Sequence, residues 1–175
     1  MSTHIFVDES KHRGYCLAAS IQRADELKQL RELVRGLVLP GQRRLHMTKE
    51  SPSRRRRIVD AICDSKARAV VYDAARRYAC ELDSRAACLR ALVDDQAGGG
   101  TTVLAFEQDD SLLGWDRRQL YALVGASGSG VLRYTHFRAS AEPLLAIPDI
   151  VAFCWAKGGD WRRRIQPVVT AVLPV

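Results

Sequence analysis

An α/β fold on a mixed β-sheet is predicted by three features of the sequence. The chain opens with two short apolar runs around a polar, glycine-bearing turn, as an antiparallel hairpin does. Strand-like and helix-like segments then alternate to the end. No spacer is long enough to divide them, so residues 1–175 are expected to form one domain with helices on both sheet faces.

The opening runs, residues 5–7 and 15–21, are almost continuously apolar, as strands covered on both faces are. Residues 24–39 carry Leu27, Leu30, Leu33, Val34 and Leu37 at helical spacing, stopped by Pro40 and Gly41. Residues 42–50 are too polar to assign by pattern. Ser51 and Pro52 then cap a helix whose buried stripe is Ile58, Val59 and Ile62. Beyond it the pattern predicts a strand at 67–72, a helix over Glu81–Asp95, a break at Gly98 to Gly100 and a strand at 101–106. A helix at 112–124, a flexible link at 125–130, a strand at 131–137, a helix at 144–155 and an edge strand within 165–175 follow.

Composition removes several classes of function. The longest apolar runs fall short of the roughly 18–20 residues that span a bilayer. The N-terminus has no basic region ahead of its apolar run and soon meets a carboxylate, so a soluble, unexported, cytoplasmic protein is expected. Five cysteines, none in C-x-x-C spacing, read as reduced and mostly buried thiols. The glycine-rich stretch at 125–130 precedes a strand, so it aims no helix N-terminus at a phosphate. No G-K-[ST] follows a glycine cluster, and His4, His12, His46 and His136 form no H-E-x-x-H pair. The formal charge is +7, and only five of the 27 basic residues are lysines. Guanidinium grips phosphate through paired hydrogen bonds, so a nucleic acid, RNA or DNA, is the expected partner.

The informative residues are acids at the ends of apolar runs. Asp8 closes the first run, Glu107 closes the strand at 101–106, and Asp149 interrupts the apolar stretch from Leu144 to Trp155. A buried carboxylate needs compensation, and hard divalent cations favour oxygen ligands. Each acid also has a plainer reading: loop capping for Asp8 and Glu107, and for Asp149 a first helical turn beside Pro148 where the helix dipole favours it.

An acid on the first strand, one on a later strand and one on the last helix is the ribonuclease H-like arrangement. The chain resembles the bacterial domain-of-unknown-function family 3800 of that group. The resemblance is carried by Ile5-Phe6-Val7-Asp8-Glu9-Ser10, by the histidine-bearing Leu45-His46-Met47-Thr48-Lys49-Glu50-Ser51 before an arginine-rich helix, and by the stretch from Glu142 to Ala152. Pro148 stands where that family usually has alanine. Glu107 stands where its later strand commonly ends in Asp or Asp-Glu, with Asp109 and Asp110 just beyond as alternative ligands.

The resemblance implies a metal-dependent nuclease that hydrolyses phosphodiesters with two Mg²⁺ or Mn²⁺ ions. Asp8 would bridge the ions, and Glu107 and Asp149 would complete one coordination sphere each. Strand alternation turns Glu9 to the face opposite Asp8, as a supporting group. His46, with Glu50 four residues on, is either a proton carrier near the metals or an ordinary half-buried histidine. Arg54, Arg55 and Arg57 at a helix start, with Arg162 and Arg163 after Trp161, are candidates to hold nucleic acid, and Trp161 to stack on a base. Trp115 and Trp155 look like core. The competing readings are an inactive nucleic-acid-binding module of the same fold, and a toxin-like or regulatory domain acting through protein contacts. A second copy of the chain or another protein is a further candidate partner, and a membrane is not.

Overall fold

The structure is a computed structural model that describes residues 2–96, 100–126 and 132–175. Six strands form one sheet: β1 (Thr3–Ser10), β2 (Tyr15–Arg23), β3 (Ala69–Ala75), β4 (Thr102–Glu107), β5 (Leu132–Phe137) and β6 (Val169–Pro174). Their order is β5-β4-β1-β2-β3-β6. β1 pairs antiparallel with β2, and β2 with β3, whereas the β1–β4, β4–β5 and β3–β6 pairs are parallel. All strands but β2 therefore point the same way, and the ends of β1 and β4 open at one edge.

The hairpin is fixed at its turn. Arg13 and Gly14 both have positive φ, and a Cβ on Gly14 would stand 2.7 Å from the Ala75 carbonyl oxygen. Only glycine allows that approach between the turn and β3.

Helices cover both faces. α1 (Leu27–Leu37), α2 (Pro52–Cys63), α5 (Ala146–Lys157) and α6 (Gly159–Ile165) share one apolar cluster with Phe6, Ala18, Val71 and Ala105. α3 (Glu81–Asp95) and α4 (Leu113–Ala126) cover the other face, where Ile5, Val7, Leu17, Tyr72, Leu104 and Phe106 are buried. The central strands are thus apolar on both sides, which is why their sequences run rather than alternate. Edge strand β6 does alternate between covered and exposed residues.

The α3 boundaries are those the periodicity predicts. α1 begins later than its pattern, because residues 23–26 close a turn in which the Glu26 N–H bonds the Arg23 carbonyl and Arg23 pairs with Asp25. The unassigned stretch at 42–50 is loop plus a 3₁₀ turn, Met47–Lys49, and α6 was not foreseen. Gly158, at φ 71°, ends α5 and allows α6 to start at once. The predicted break at Gly98 and Gly99 and most of the predicted link at 125–130 lie outside the described residues. Among the described residues, no helix is long and apolar enough to cross a membrane.

Candidate functional site

The pairing of Val7 with Phe106 puts Asp8 and Glu107 at neighbouring strand ends in the same phase. Both side chains therefore leave the sheet on the face that α5 covers, and Asp149 lies in the first turn of that helix. Pro148 fits there, since a first-turn residue needs no intrahelical N–H bond. Asp8, Glu107 and Asp149 consequently line one cleft of about 630 Å³, together with Arg44, His46 and Thr48. Asp109 and Asp110 line the same cleft as exposed residues.

The electrostatics record how close these acids are. Burial, followed by the charges of Asp149, Glu9 and Glu107, pushes the Asp8 carboxyl well above the usual carboxylate range. The Glu9 N–H, donating to Asp8 Oδ1 at 2.8 Å, offsets this only in part. Like charges gathered at one point favour either a proton or a cation there.

The other two acids already have partners. Arg44 Nη1 donates to Glu107 Oε2 at 2.9 Å, with both side chains about one-third exposed. Asp149 Oδ2 accepts the Met47 N–H at 2.8 Å, and His46 Nδ1 stands 3.2 Å from Asp149 Oδ1. These bonds tie the His46 loop to α5. Among the described residues, no group of three or more His, Cys, Asp or Glu side chains is arranged to hold a metal ion. In this arrangement the acids share a cleft but do not fit a complete divalent-metal site.

His46 and Glu50 do not share a helix face. His46 precedes the 3₁₀ turn in extended conformation, and Glu50 follows it, buried and bound by Arg54 and Gln42. Glu9 leaves β1 on the α3–α4 face, where Arg85 Nη1 donates to Glu9 Oε2 at 2.8 Å. Arg85 also holds Asp116 through two 2.7 Å bonds, and both side chains are almost fully buried. Burial raises the Asp116 carboxyl, but the neighbouring His136 and the bonded guanidinium together bring it below its ordinary range. His136 Nε2, 3.5 Å from Asp116 Oδ2, is too distant for a well-formed hydrogen bond.

Most of the predicted basic residues are engaged within the fold. Arg54 binds Glu50 and the Leu37 carbonyl; Arg55 binds the Met47 and Thr48 carbonyls and lies over the Phe153 ring. Both brace the loop that carries His46. Arg57 is exposed. Arg162 binds the Trp155 carbonyl and stacks on that indole at 4.1 Å, while Arg163 forms an exposed pair with Asp160. Trp161 packs edge-on against Phe153. Trp155 is buried, and Trp115 packs partly buried against the α3–α4 face.

Sequence reasoning missed a second basic surface. Arg43, Arg44, Lys49 and Arg138, with Gln42 and Ser140, line a groove of about 550 Å³. It adjoins the acidic cleft, since Arg44, His46 and Gln108 line both. The paired Arg43-Arg44 just ahead of His46 was the available signal. Arg138, just past the end of β5, is brought in by tertiary structure alone.

The sheet order, the helices on both faces and the strand-end cleft define a ribonuclease H-like fold. Solved structures carry the same architecture. Over 95% of this chain and 75% of the other, it superposes on ribonuclease HII of Archaeoglobus fulgidus from its complex with PCNA, at TM-score 0.57 and 18% identity. Ribonuclease H2 of Pyrococcus horikoshii matches 94% of this chain and 74% of its own at TM-score 0.56 and 12% identity. Bst-RNase HIII in complex with Mn²⁺ matches 86% of this chain and 50% of its own, at TM-score 0.52 and 17% identity. At such identities the likeness is one of fold. No protein-family model matches the chain, and no curated protein matches it in sequence.

Proposed function

We propose that this chain is a nucleic-acid-binding domain of ribonuclease H-like fold that lays a phosphodiester backbone along the basic groove and into the carboxylate cleft. The observation that carries this reading is the junction of the two surfaces at Arg44, His46 and Gln108. Arg43, Lys49 and Arg138 are exposed, and among the described residues none of the three pairs with a carboxylate. Glu50, on the same wall, is engaged by Arg54 and Gln42. A groove of exposed cations that ends at a cleft of acids holds a polyanion by its phosphates and presents one of them to the carboxylates.

The test is a binding panel of single- and double-stranded RNA, DNA and RNA–DNA hybrid across a salt series. Phosphate contacts give an affinity falling log-linearly with salt, by about 0.7–0.9 of a log unit per contact for each decade. Replacing Arg43 and Arg138 with Gln should flatten that slope by about two contacts' worth. An unchanged slope would sink the proposal.

Hydrolysis is the second reading, favoured by the crowding of Asp149, Glu9 and Glu107 around Asp8, which a divalent cation would relieve. On this reading Asp8, Glu107 and Asp149 would hold Mg²⁺ or Mn²⁺, and His46 would handle a proton beside Asp149. Cleavage of the same panel with Mn²⁺, lost on chelation and in Asp8→Asn, would establish it. Binding without cleavage leaves the domain as a binding module.

A further inference from the structure

Beside the basic groove lies a further cavity, away from the carboxylates. It measures about 510 Å³, a size usual for sites that take small organic groups. Its walls are apolar: Val34, Leu39 and Pro40 at the end of α1 and just beyond it, then Leu45, Pro143 and Leu145. Arg35, Arg43 and Arg44 also line it, and among the described residues no carboxylate does. The cavity adjoins the groove, since Arg43, Arg44, Ala139 and Ser140 line both.

Both walls are held in place by the fold itself. Gln42 closes the turn at Pro40 and Gly41 twice: its N–H donates to the Leu39 carbonyl, and its Oε1 accepts the Leu39 N–H, each at 3.0 Å. Its Nε2 donates to Glu50, which Arg54 holds in turn. On the other wall the Ala141 N–H closes a turn on the Arg138 carbonyl at 2.8 Å, and Arg31 grips buried Glu142 through two bonds. Leu39, a large apolar side chain, stays 43% exposed where it lines the cavity. A preformed apolar slot flanked by cations is complementary to a flat apolar ring that carries an anion close by.

We propose that this cavity is a nucleobase pocket, which takes one unpaired base of a strand whose phosphates lie along the neighbouring groove. A base has apolar faces, and its phosphate, one sugar away, carries the negative charge. Cavity and groove offer the two complements side by side, with Arg43 on both. Aliphatic walls can sandwich a base as aromatic ones do, provided the base has left its own stack. The pocket therefore favours single-stranded or locally unpaired nucleic acid over a closed duplex, from which a base must first be extruded. The occupant is part of the bound strand, so the pocket rests on the function proposed above.

The test compares two dye-labelled single DNA strands of about ten nucleotides with equal phosphates, one of mixed sequence and one wholly abasic. Binding to the full chain is read by fluorescence anisotropy across a salt series. Wild type should hold the mixed strand about ten-fold more tightly than the abasic one, the effect of one seated base. The two salt slopes should agree, because the phosphate contacts are the same. Ala139→Leu fills the cavity and Leu39→Ala strips one wall, with folding checked by circular dichroism. Each should lower the affinity for the mixed strand toward that for the abasic one and leave the abasic strand's affinity unchanged. Free nucleoside monophosphates, one for each base, are titrated in parallel and should bind only weakly.

Equal affinity of wild type for the two strands overturns the base pocket and leaves the phosphate groove standing. So does a ten-fold gap that both variants preserve, since the base is then seated elsewhere. If neither strand binds, the proposed function falls and the strand falls with it as occupant. A free nucleoside monophosphate that binds in that case, and is lost in Ala139→Leu, makes the cavity a site for free nucleotide instead. If nothing binds, groove and pocket fall together.

Discussion

Asp8 and Glu9 are joined by one peptide bond, yet the sheet delivers them to opposite electrostatic surroundings. Glu9 emerges on the α3–α4 face, where Arg85 bridges it to Asp116 in a mostly buried ion-pair network. Asp8 emerges on the α5 face among Glu107 and Asp149, where Arg44, about one-third exposed, is bonded to Glu107 instead. One side of the sheet has solved its charge problem with a fixed ion-pair network. The other leaves a charge deficit open to solvent. Fixed, satisfied polar groups give stability and specificity, whereas an unsatisfied, accessible cluster is what ligand binding needs. Strand alternation alone thus sets a satisfied ion-pair network on one face and an open carboxylate cluster on the other.

The largest way to break this comparison is on the satisfied side. Arg85→Met strands Asp116 and Glu9, and removing one partner of a buried pair should cost about 3–5 kcal/mol in chemical denaturation. A loss below 1 kcal/mol would mean that the network is no better satisfied than the cleft. On the open side the sign reverses. Asp8→Asn removes the charge that its neighbours repel and should raise the thermal midpoint by about 2–4 °C. A lowered midpoint would show that Asp8 is already compensated.

Acid sharpens the same contrast. Because the Asp8 carboxyl is held well above its ordinary range, the folded chain takes up its proton before the unfolded chain does. The penalty from Asp8 is therefore full above its raised folded value. It fades as pH falls toward the unfolded carboxylate value near ~4. The midpoint advantage of Asp8→Asn over wild type should shrink across that window, and a constant advantage would assign it to something other than charge. The smallest effect belongs to neither region: Arg163→Ala breaks an exposed pair with Asp160 and should change stability by no more than about 0.5 kcal/mol.

Much of the fold is legible locally. The hairpin follows from two apolar runs around Gly14, and α3 from its own periodicity. β6 was expected at an edge, and β6 alternates as an edge strand does. α1 and α6 were less legible because their ends depend on turn chemistry at residues 23–26 and on the positive φ of Gly158. Within the cleft, Asp8, Glu107 and Asp149 could be named because each closes or interrupts an apolar run, a pattern visible along the chain. Arg44, Arg85, Asp116 and Arg138 could not be singled out, since what matters about them is a partner or groove wall far away in sequence. The arginine runs invited a ligand, but for Arg54, Arg55 and Arg162 nearby carbonyls and rings offer bonds that composition does not reveal.

By itself, then, the sequence determined the periodicities that make these strands and helices, the excess of positive charge and the acids at the ends of apolar runs, because these are properties of short segments and of totals. Tertiary structure alone decided which charges meet. It put Arg85 against Asp116, set Arg44 between Glu107 and a basic groove, and left Asp8 crowded by like charge. Coulomb interactions depend on distance and burial, and only the folded chain sets either.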